Sequence, residues 1–388
     1  MRIETRAIHA GDRKKAPPAV PVTTPIYTAA SYFYDDMEQL DRVFARTEQG
    51  FSYSRYDNPS NHALEELAAS LESGHGALAC ASGMAAIQIA LATALEGRPK
   101  RILASYALYG ATISVLHKVF EPLGVEVEFA DMCELAAVPS CGCVLMETMS
   151  NPLLRVPPID RIAEMARAAG AAVIVDNTFA TPLLVRPMEL GANMVVESAT
   201  KYLAGHGDVL AGLVVSDAAH YDTLRMLSRA YGPVLGPFEC YLTMRGIKTF
   251  PLRMERHCEN ACRVAEWLKR HPRVERVYYP GDPQHPDAAT IERLFAPGLR
   301  GGMVSFEIKG AGREEVFRMM ERLAMIVPAT SLGDVHTMML YPMMSSHREV
   351  PPAERDRMGI RENLVRLSVG IEAAEDILAD LATALENR

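Results

Sequence analysis

The sequence predicts an α/β fold: a mostly parallel sheet with helices on each side, followed by a smaller C-terminal α+β unit. Three observations carry this expectation. Between residues 60 and 245, short Val-, Ile- and Leu-rich runs interleave with stretches of helical period. Those runs lack polar alternation, which is how strands buried on both faces read. Beyond residue 245 one long helical stretch leads into a different rhythm of strands and helices.

Within residues 61–245, helices are expected at 61–73 and 85–95, and strands at 101–103, 125–129, 144–147, 172–175, 194–196 and 212–215. Residues 246–388 supply the second unit, with helices at 252–269, 314–323 and 373–385 and strands at 274–279, 303–308 and 364–369. Residues 1–60 show little period of either kind and carry Pro17, Pro18, Pro21 and Pro25. Tyr27, Tyr32, Phe33, Tyr34 and Phe44 make this segment too aromatic for a disordered tail. An arm packed on another subunit suits it better.

Composition narrows the class. The 388 residues are 49% hydrophobic and 23% charged, which describes a soluble globular chain long enough for two ordinary domains. A net charge of −8, with no basic stripe, argues against nucleic acid as a partner. The first twelve residues lack an apolar core and do not read as a secretory signal. No apolar run approaches the ~18–20 residues a membrane span requires. Seven cysteines without paired two-residue spacers read as reduced thiols, in keeping with a cytoplasmic location and no metal.

The chemistry concentrates in a few positions. Ser198-Ala199-Thr200-Lys201 follows an apolar strand and sets an amine, able to form a Schiff base, beside two hydroxyls able to bind phosphate. Asp176 closes the preceding strand, so the two fall at the carboxyl edge of the sheet, where α/β proteins place ligands. Ser82 is a candidate N-cap for a helix opened by Gly83 and Met84, whose first amides form an anion site. Tyr109 follows another strand and offers an aromatic face and a phenol. Arg366 interrupts an apolar strand, and a buried arginine is best matched by a carboxylate. A lysine, a strand-end carboxylate and a glycine-opened helix together meet the needs of pyridoxal 5'-phosphate.

These positions, in this order, resemble the Cys/Met-metabolism family of pyridoxal-phosphate enzymes. That family includes cystathionine γ-synthase, cystathionine γ-lyase, methionine γ-lyase and the O-acylhomoserine sulfhydrylases. The resemblance runs from residues 5–11 to residues 364–372. Its most specific pieces are Tyr53-Ser54-Arg55 with Asn58-Pro59, residues 81–86, residues 175–178, and residues 198–202 with Gly205-His206-Gly207-Asp208. It implies the fold type I, aspartate-aminotransferase-like architecture. It also implies that Lys201 carries the cofactor covalently, Asp176 keeps the ring nitrogen protonated and Tyr109 stacks on the ring. Gly83, Met84, Ser198 and Thr200 would grip the phosphate, with Thr178 also at the cofactor. Tyr53 and Arg55 would reach the site of a neighbouring subunit, making a homodimer with shared sites, commonly paired into a homotetramer. Arg366 would bind the α-carboxylate of an amino-acid substrate with help from Ser331, and Tyr53 would contribute to substrate binding.

The implied activity is elimination or replacement at the γ-carbon of cystathionine, methionine or an O-acylhomoserine. An aminotransferase, a cystathionine β-lyase and a non-enzymatic nucleotide-phosphate binder are the alternatives. Three departures bear on the substrate. Thr330 stands where cystathionine-handling relatives generally have glutamate, which weakens recognition of a distal ammonium. Ala111 stands where bacterial methionine γ-lyases typically have cysteine. The run from Tyr341 to His347 departs from the usual His-Pro-Ala pattern, so a pocket of altered shape is expected.

Overall fold

The computed structural model describes residues 19–348 and 350–386. The resembling stretch at residues 5–11, Pro17, Pro18 and the first twelve residues lie outside them. Seven strands form the first sheet: β1 (Gly76–Cys80), β2 (Arg101–Ser105), β3 (Glu126–Ala130), β4 (Cys143–Glu147), β5 (Ala172–Asp176), β6 (Met194–Glu197) and β7 (Gly212–Ser216). Their order is β1-β7-β6-β5-β4-β2-β3. All neighbours are parallel except β7, which runs antiparallel to both β1 and β6.

Side chains alternate between two cores. Val144, Met146, Val173, Val175 and Val195 enter one, on the face covered by the helices Pro59–Glu72 and Ile159–Ala168. Cys143, Leu145, Ala172, Ile174 and Val196 enter the other, beneath the helix Gly83–Leu95. Both faces are thus dry, and each fully buried Val, Leu or Ile contributes ~1.5–3 kcal/mol. That double burial is the reason the strands read as unbroken apolar runs.

Strand β1 was not among the expected strands. Its sequence, Gly-Ala-Leu-Ala-Cys, is small and alanine-rich, and only its pairing with β7 along five residues makes it a strand. The arm also holds more order than expected. A helix spans Met37–Phe44, started by Asp36, whose carboxylate accepts from the Glu38 N–H at 3.0 Å.

The second sheet contains β8 (Val274–Tyr278), β9 (Met303–Ile308), β10 (Val327–Pro328), β11 (Met338–Leu340) and β12 (Leu364–Ser368), ordered β10-β11-β12-β9-β8. The short strands β10 and β11 were not foreseen. A 21-residue helix, Phe250–Arg270, joins the two halves. Phe250, Met254 and Cys258 pack into a core of the first sheet, whereas Ala261, Val264, Ala265 and Leu268 pack on the second. Arg366, in the middle of β12, therefore faces the first sheet across a fixed span.

Candidate active site

At the carboxyl edge of the first sheet, a cavity of about 240 Å³ gathers Gly83, Met84, Tyr109, Asp176, Thr178, Ser198, Thr200, Lys201 and Arg366. Local structure explains each position. Ser82 Oγ accepts from the Ala85 N–H at 3.1 Å and starts the helix Gly83–Leu95, leaving the first-turn amides directed at the cavity end. Gly83 allows a close approach: a Cβ there would lie 2.9 Å from Ser198 Cβ and 3.0 Å from its Oγ. Gly212 does the same from β7, where a Cβ would collide with the Ser82 backbone.

Asp176 ends β5, beside β6. Its Oδ1 accepts from the Thr178 N–H at 3.0 Å and from the Thr178 hydroxyl at 2.5 Å. The same Thr178 oxygen accepts from the Ser198 N–H at 2.8 Å, which ties the two strand ends together. Burial raises the Asp176 carboxyl above its usual value, and the two Thr178 bonds oppose that rise. Among the described residues Asp176 makes no ion pair, so its charge awaits a partner.

Lys201 lies four residues beyond β6, and its Nζ donates to Ser331 Oγ at 2.9 Å. Burial, and secondarily the Arg366 charge, pull the amine down to about 8. Thr200 Oγ1 exchanges hydrogen bonds with the backbone of Ala211, which fixes the turn.

Arg366 is 2% exposed. It donates from Nη1 to Asn151 Oδ1 at 2.9 Å and from Nη2 to the Ser331 carbonyl at 3.3 Å, and it lies over the Phe179 ring. Its Nε has no partner, and no carboxylate pairs with it among the described residues. Burial lowers it to about 10. A buried guanidinium without an anion is a site prepared for one.

Two residues expected at a neighbouring subunit's site do not enter this chain's own cavity. Tyr53 and Arg55 are outside the cavity: the Arg55 guanidinium stacks on the Tyr56 ring at 4.7 Å and donates to the Arg229 carbonyl. Sequence reasoning also missed Glu147 and Asn151. Glu147 lies opposite Asp176 in the parallel register, and its Oε1 accepts from the Tyr109 N–H at 2.6 Å. Burial, then the Asp176 charge, push Glu147 well above the usual carboxylate range. The signal was present, since Glu147 closes an apolar strand just as Asp176 does.

Three features test the fit of pyridoxal phosphate. A carboxylate without a cation, an amine whose pKa burial lowers and a helix N-terminus opened by glycine converge on one cavity. The donor set suits the cofactor's ring nitrogen, aldehyde and phosphate respectively. Residues 4–386 match the family described as Cys/Met metabolism PLP-dependent enzyme. The chain belongs to this family. It is 41% identical to the L-methionine gamma-lyase of Fusobacterium nucleatum subsp. polymorphum, covering 98% of this chain and 97% of that protein. It is 39% identical to the cystathionine gamma-lyase of Bacillus subtilis (strain 168), over the full length of both. A crystal structure of cystathionine gamma synthase from Xanthomonas oryzae pv. oryzae, in complex with aminoacrylate and cysteine, superposes with a TM-score of 0.87 at 35% identity. That likeness covers 98% of this chain and 97% of that one. Fold type I and dependence on pyridoxal 5'-phosphate follow.

Proposed function

We propose that this pyridoxal-phosphate enzyme eliminates or replaces the γ-substituent of a sulfur- or oxygen-substituted amino acid related to homoserine. The observation that carries the reading is the convergence of Lys201, Asp176 and the anion-free Arg366 on one cavity. The names of its relatives, γ-lyases foremost, support the γ-carbon as the point of attack. Bound pyridoxal phosphate supplies a sink for the electrons released when a bond at the substrate's α-carbon breaks.

The chain's own residues do the rest. Arg366 holds the substrate carboxylate, with Ser331 beside it. The Gly83 and Met84 amides, with the Ser198 and Thr200 hydroxyls, hold the phosphate. Thr178 fixes the Asp176 carboxylate, which keeps a proton on the ring nitrogen. The Lys201 amine, depressed to about 8, accepts and returns protons at the substrate carbons. The Tyr109 ring covers the cofactor face, and its phenol delivers a proton to the leaving group.

The cavity wall contributes Met84, Ile87, Met149, Phe179, Leu210 and Leu332, with Thr330 as a neutral polar member. This wall favours an uncharged side chain over one ending in an ammonium. Residues 61–245 would then be the cofactor-binding unit, 246–388 the unit that brings Arg366, and 1–60 an arm. Val20, Val22, Phe33, Met37 and Phe44 are exposed on that arm, which supports a homodimer whose Tyr53 and Arg55 complete the partner's site, and a homotetramer of two such pairs. No helix among the described residues is long and apolar enough to cross a membrane. The seven unpaired cysteines support a cytoplasmic setting.

The test incubates the purified enzyme with methionine, with cystathionine, and with O-acylhomoserine plus a thiol, and identifies products by mass. A 2-oxo acid with ammonia and thiol, or a new thioether, is expected from an uncharged substrate. Amino-group transfer alone, or no turnover of any of them, overturns the reading.

A further inference from the structure

A second group of ionisable side chains lies on the opposite face of the sheet from the cavity, and the chemistry above does not use it. Glu147, Asp176 and Ser198 line the cavity. Their chain neighbours Thr148, Asn177 and Glu197 are each 2% exposed or less. They continue the alternation of Met146, Val175 and Val195 into the opposite core. Glu72, the last residue of the helix Pro59–Glu72, meets them there, also 2% exposed.

The bonds form one chain. Thr148 Oγ1 donates to Asn177 Oδ1 at 2.7 Å, and Asn177 Nδ2 donates to Glu72 Oε1 at 2.8 Å and to the Val185 carbonyl at 3.0 Å. Glu72 in turn meets Glu197, a second buried carboxyl, side chain to side chain. Ionised carboxylates only accept, so that contact requires a proton. Glu72 Oε2 and Glu197 Oε1 are buried with no hydrogen-bond donor among the described residues.

From this geometry we infer that Glu72 and Glu197 share one proton, and that the resulting carboxyl–carboxylate pair is a positioning device. It locks the ends of β5 and β6, and with them Asp176 and Ser198, in register. The surrounding charges agree. Burial pushes Glu72 up to about 7 and Glu197 well above the carboxylate range; Glu72 raises Glu197 further, whereas the contact with Glu197 lowers Glu72, as expected when one carboxyl keeps the proton and the other accepts it. Asp176 adds repulsion at Glu197; at Glu72, Glu189 repels and Arg186 attracts. Arg186 is itself paired with Glu189 at 2.6 Å and half exposed, so it does not neutralise the pair. The inference rests on the fold and is independent of which substrate the enzyme takes.

The test uses the cofactor-loaded enzyme and the variants Glu72→Gln and Glu197→Gln, each of which supplies an N–H donor to the remaining carboxylate. A shared proton predicts that one protonated-carboxyl band in the infrared spectrum disappears in both variants. It also predicts a pH signature. The fold holds a proton that the unfolded chain releases near 4.5, so stability is lost as pH rises through about 7. Both glutamine variants should lack that part of the slope in thermal melts between pH 5 and pH 8. A positioning role adds that Glu197→Ala binds pyridoxal phosphate ~tenfold more weakly, whereas Glu197→Gln stays within ~twofold. Should the alanine variant fail to fold, the paired glutamine variants carry the test alone. A band that persists in either glutamine variant, or a melting profile with unchanged pH slope, overturns the shared proton. Equal affinity loss in Gln and Ala overturns the positioning role.

Discussion

Replacing Arg366 with methionine should separate binding from stability. The guanidinium is buried with no carboxylate paired to it among the described residues, and burial lowers its pKa to about 10. A depression of that size corresponds to ~3 kcal/mol of penalty on the charged form, present throughout the neutral range and relieved only as pH rises through the folded value. Its two hydrogen bonds, to Asn151 Oδ1 and the Ser331 carbonyl, return ~1–3 kcal/mol together. Arg366→Met removes both sides of this balance and leaves Asn151 Oδ1 without a donor. The expected unfolding free energy is therefore within ~2 kcal/mol of wild type, in either direction. The substrate's carboxylate loses far more. Two charge-assisted bonds at ~1.5–3 kcal/mol each amount to a fall of ~10²–10⁴ in kcat/KM. Steady-state kinetics with an uncharged substrate and urea titration of the same preparations measure the two quantities. A variant that unfolds more than ~4 kcal/mol earlier, or that keeps kcat/KM within ~tenfold, would refute the reasoning.

Further outcomes follow from the same geometry. Pyridoxal phosphate attached reductively to cofactor-free enzyme should react at a rate that rises with pH and levels off above about 8, not near 10.5. Arg366→Met, by removing the second cause of that depression, should move the midpoint upward. Gly83→Ala places a Cβ 2.9 Å from Ser198 Cβ, so it should cost ~1–3 kcal/mol and weaken cofactor binding, both measured by melting with and without pyridoxal phosphate. If the arm serves a neighbouring subunit, Arg55→Ala and Lys201→Ala, each impaired alone, should regain activity when mixed and allowed to exchange chains. No recovery on mixing would place Tyr53 and Arg55 outside the catalytic site.

What the sequence made legible was whatever a single strand or helix end fixes by itself. Lys201 and Asp176 each follow an apolar run that marks the end of a strand, and Gly83 opens a helix behind the N-cap Ser82, so each position could be read from one element alone. β1 was illegible because five small residues carry no strand preference until β7 pairs with them. Glu147 was passed over because its role depends on Tyr109, 38 positions away, whose N–H it accepts. Arg366 was read as seeking a carboxylate. Among the described residues none pairs with it, and an amide and a carbonyl hold it instead.

The departures at Thr330 and Ala111 gain meaning in the same way. Thr330 lines the cavity, so a threonine in place of a glutamate leaves that part of the wall uncharged. Ala111 does not line it; it lies in the first turn of the helix Gly110–Val115. The absence of cysteine at Ala111 therefore constrains the described pocket less than the threonine does. Ser346 also reaches the cavity, from the Tyr341–His347 run, with its Oγ 2.9 Å from the buried His347 Nδ1. Gly110 leaves room for that approach, since a Cβ there would strike the Ser346 carbonyl. Thr330 and Ser346 thus bring the C-terminal half to the cavity, opposite Gly83, Asp176 and Lys201 of the N-terminal half. Restoring charge with Thr330→Glu should shift preference from methionine toward cystathionine, because the new carboxylate would meet a distal ammonium. An unchanged ratio of kcat/KM for the two substrates would show that the wall at residue 330 does not read the side chain.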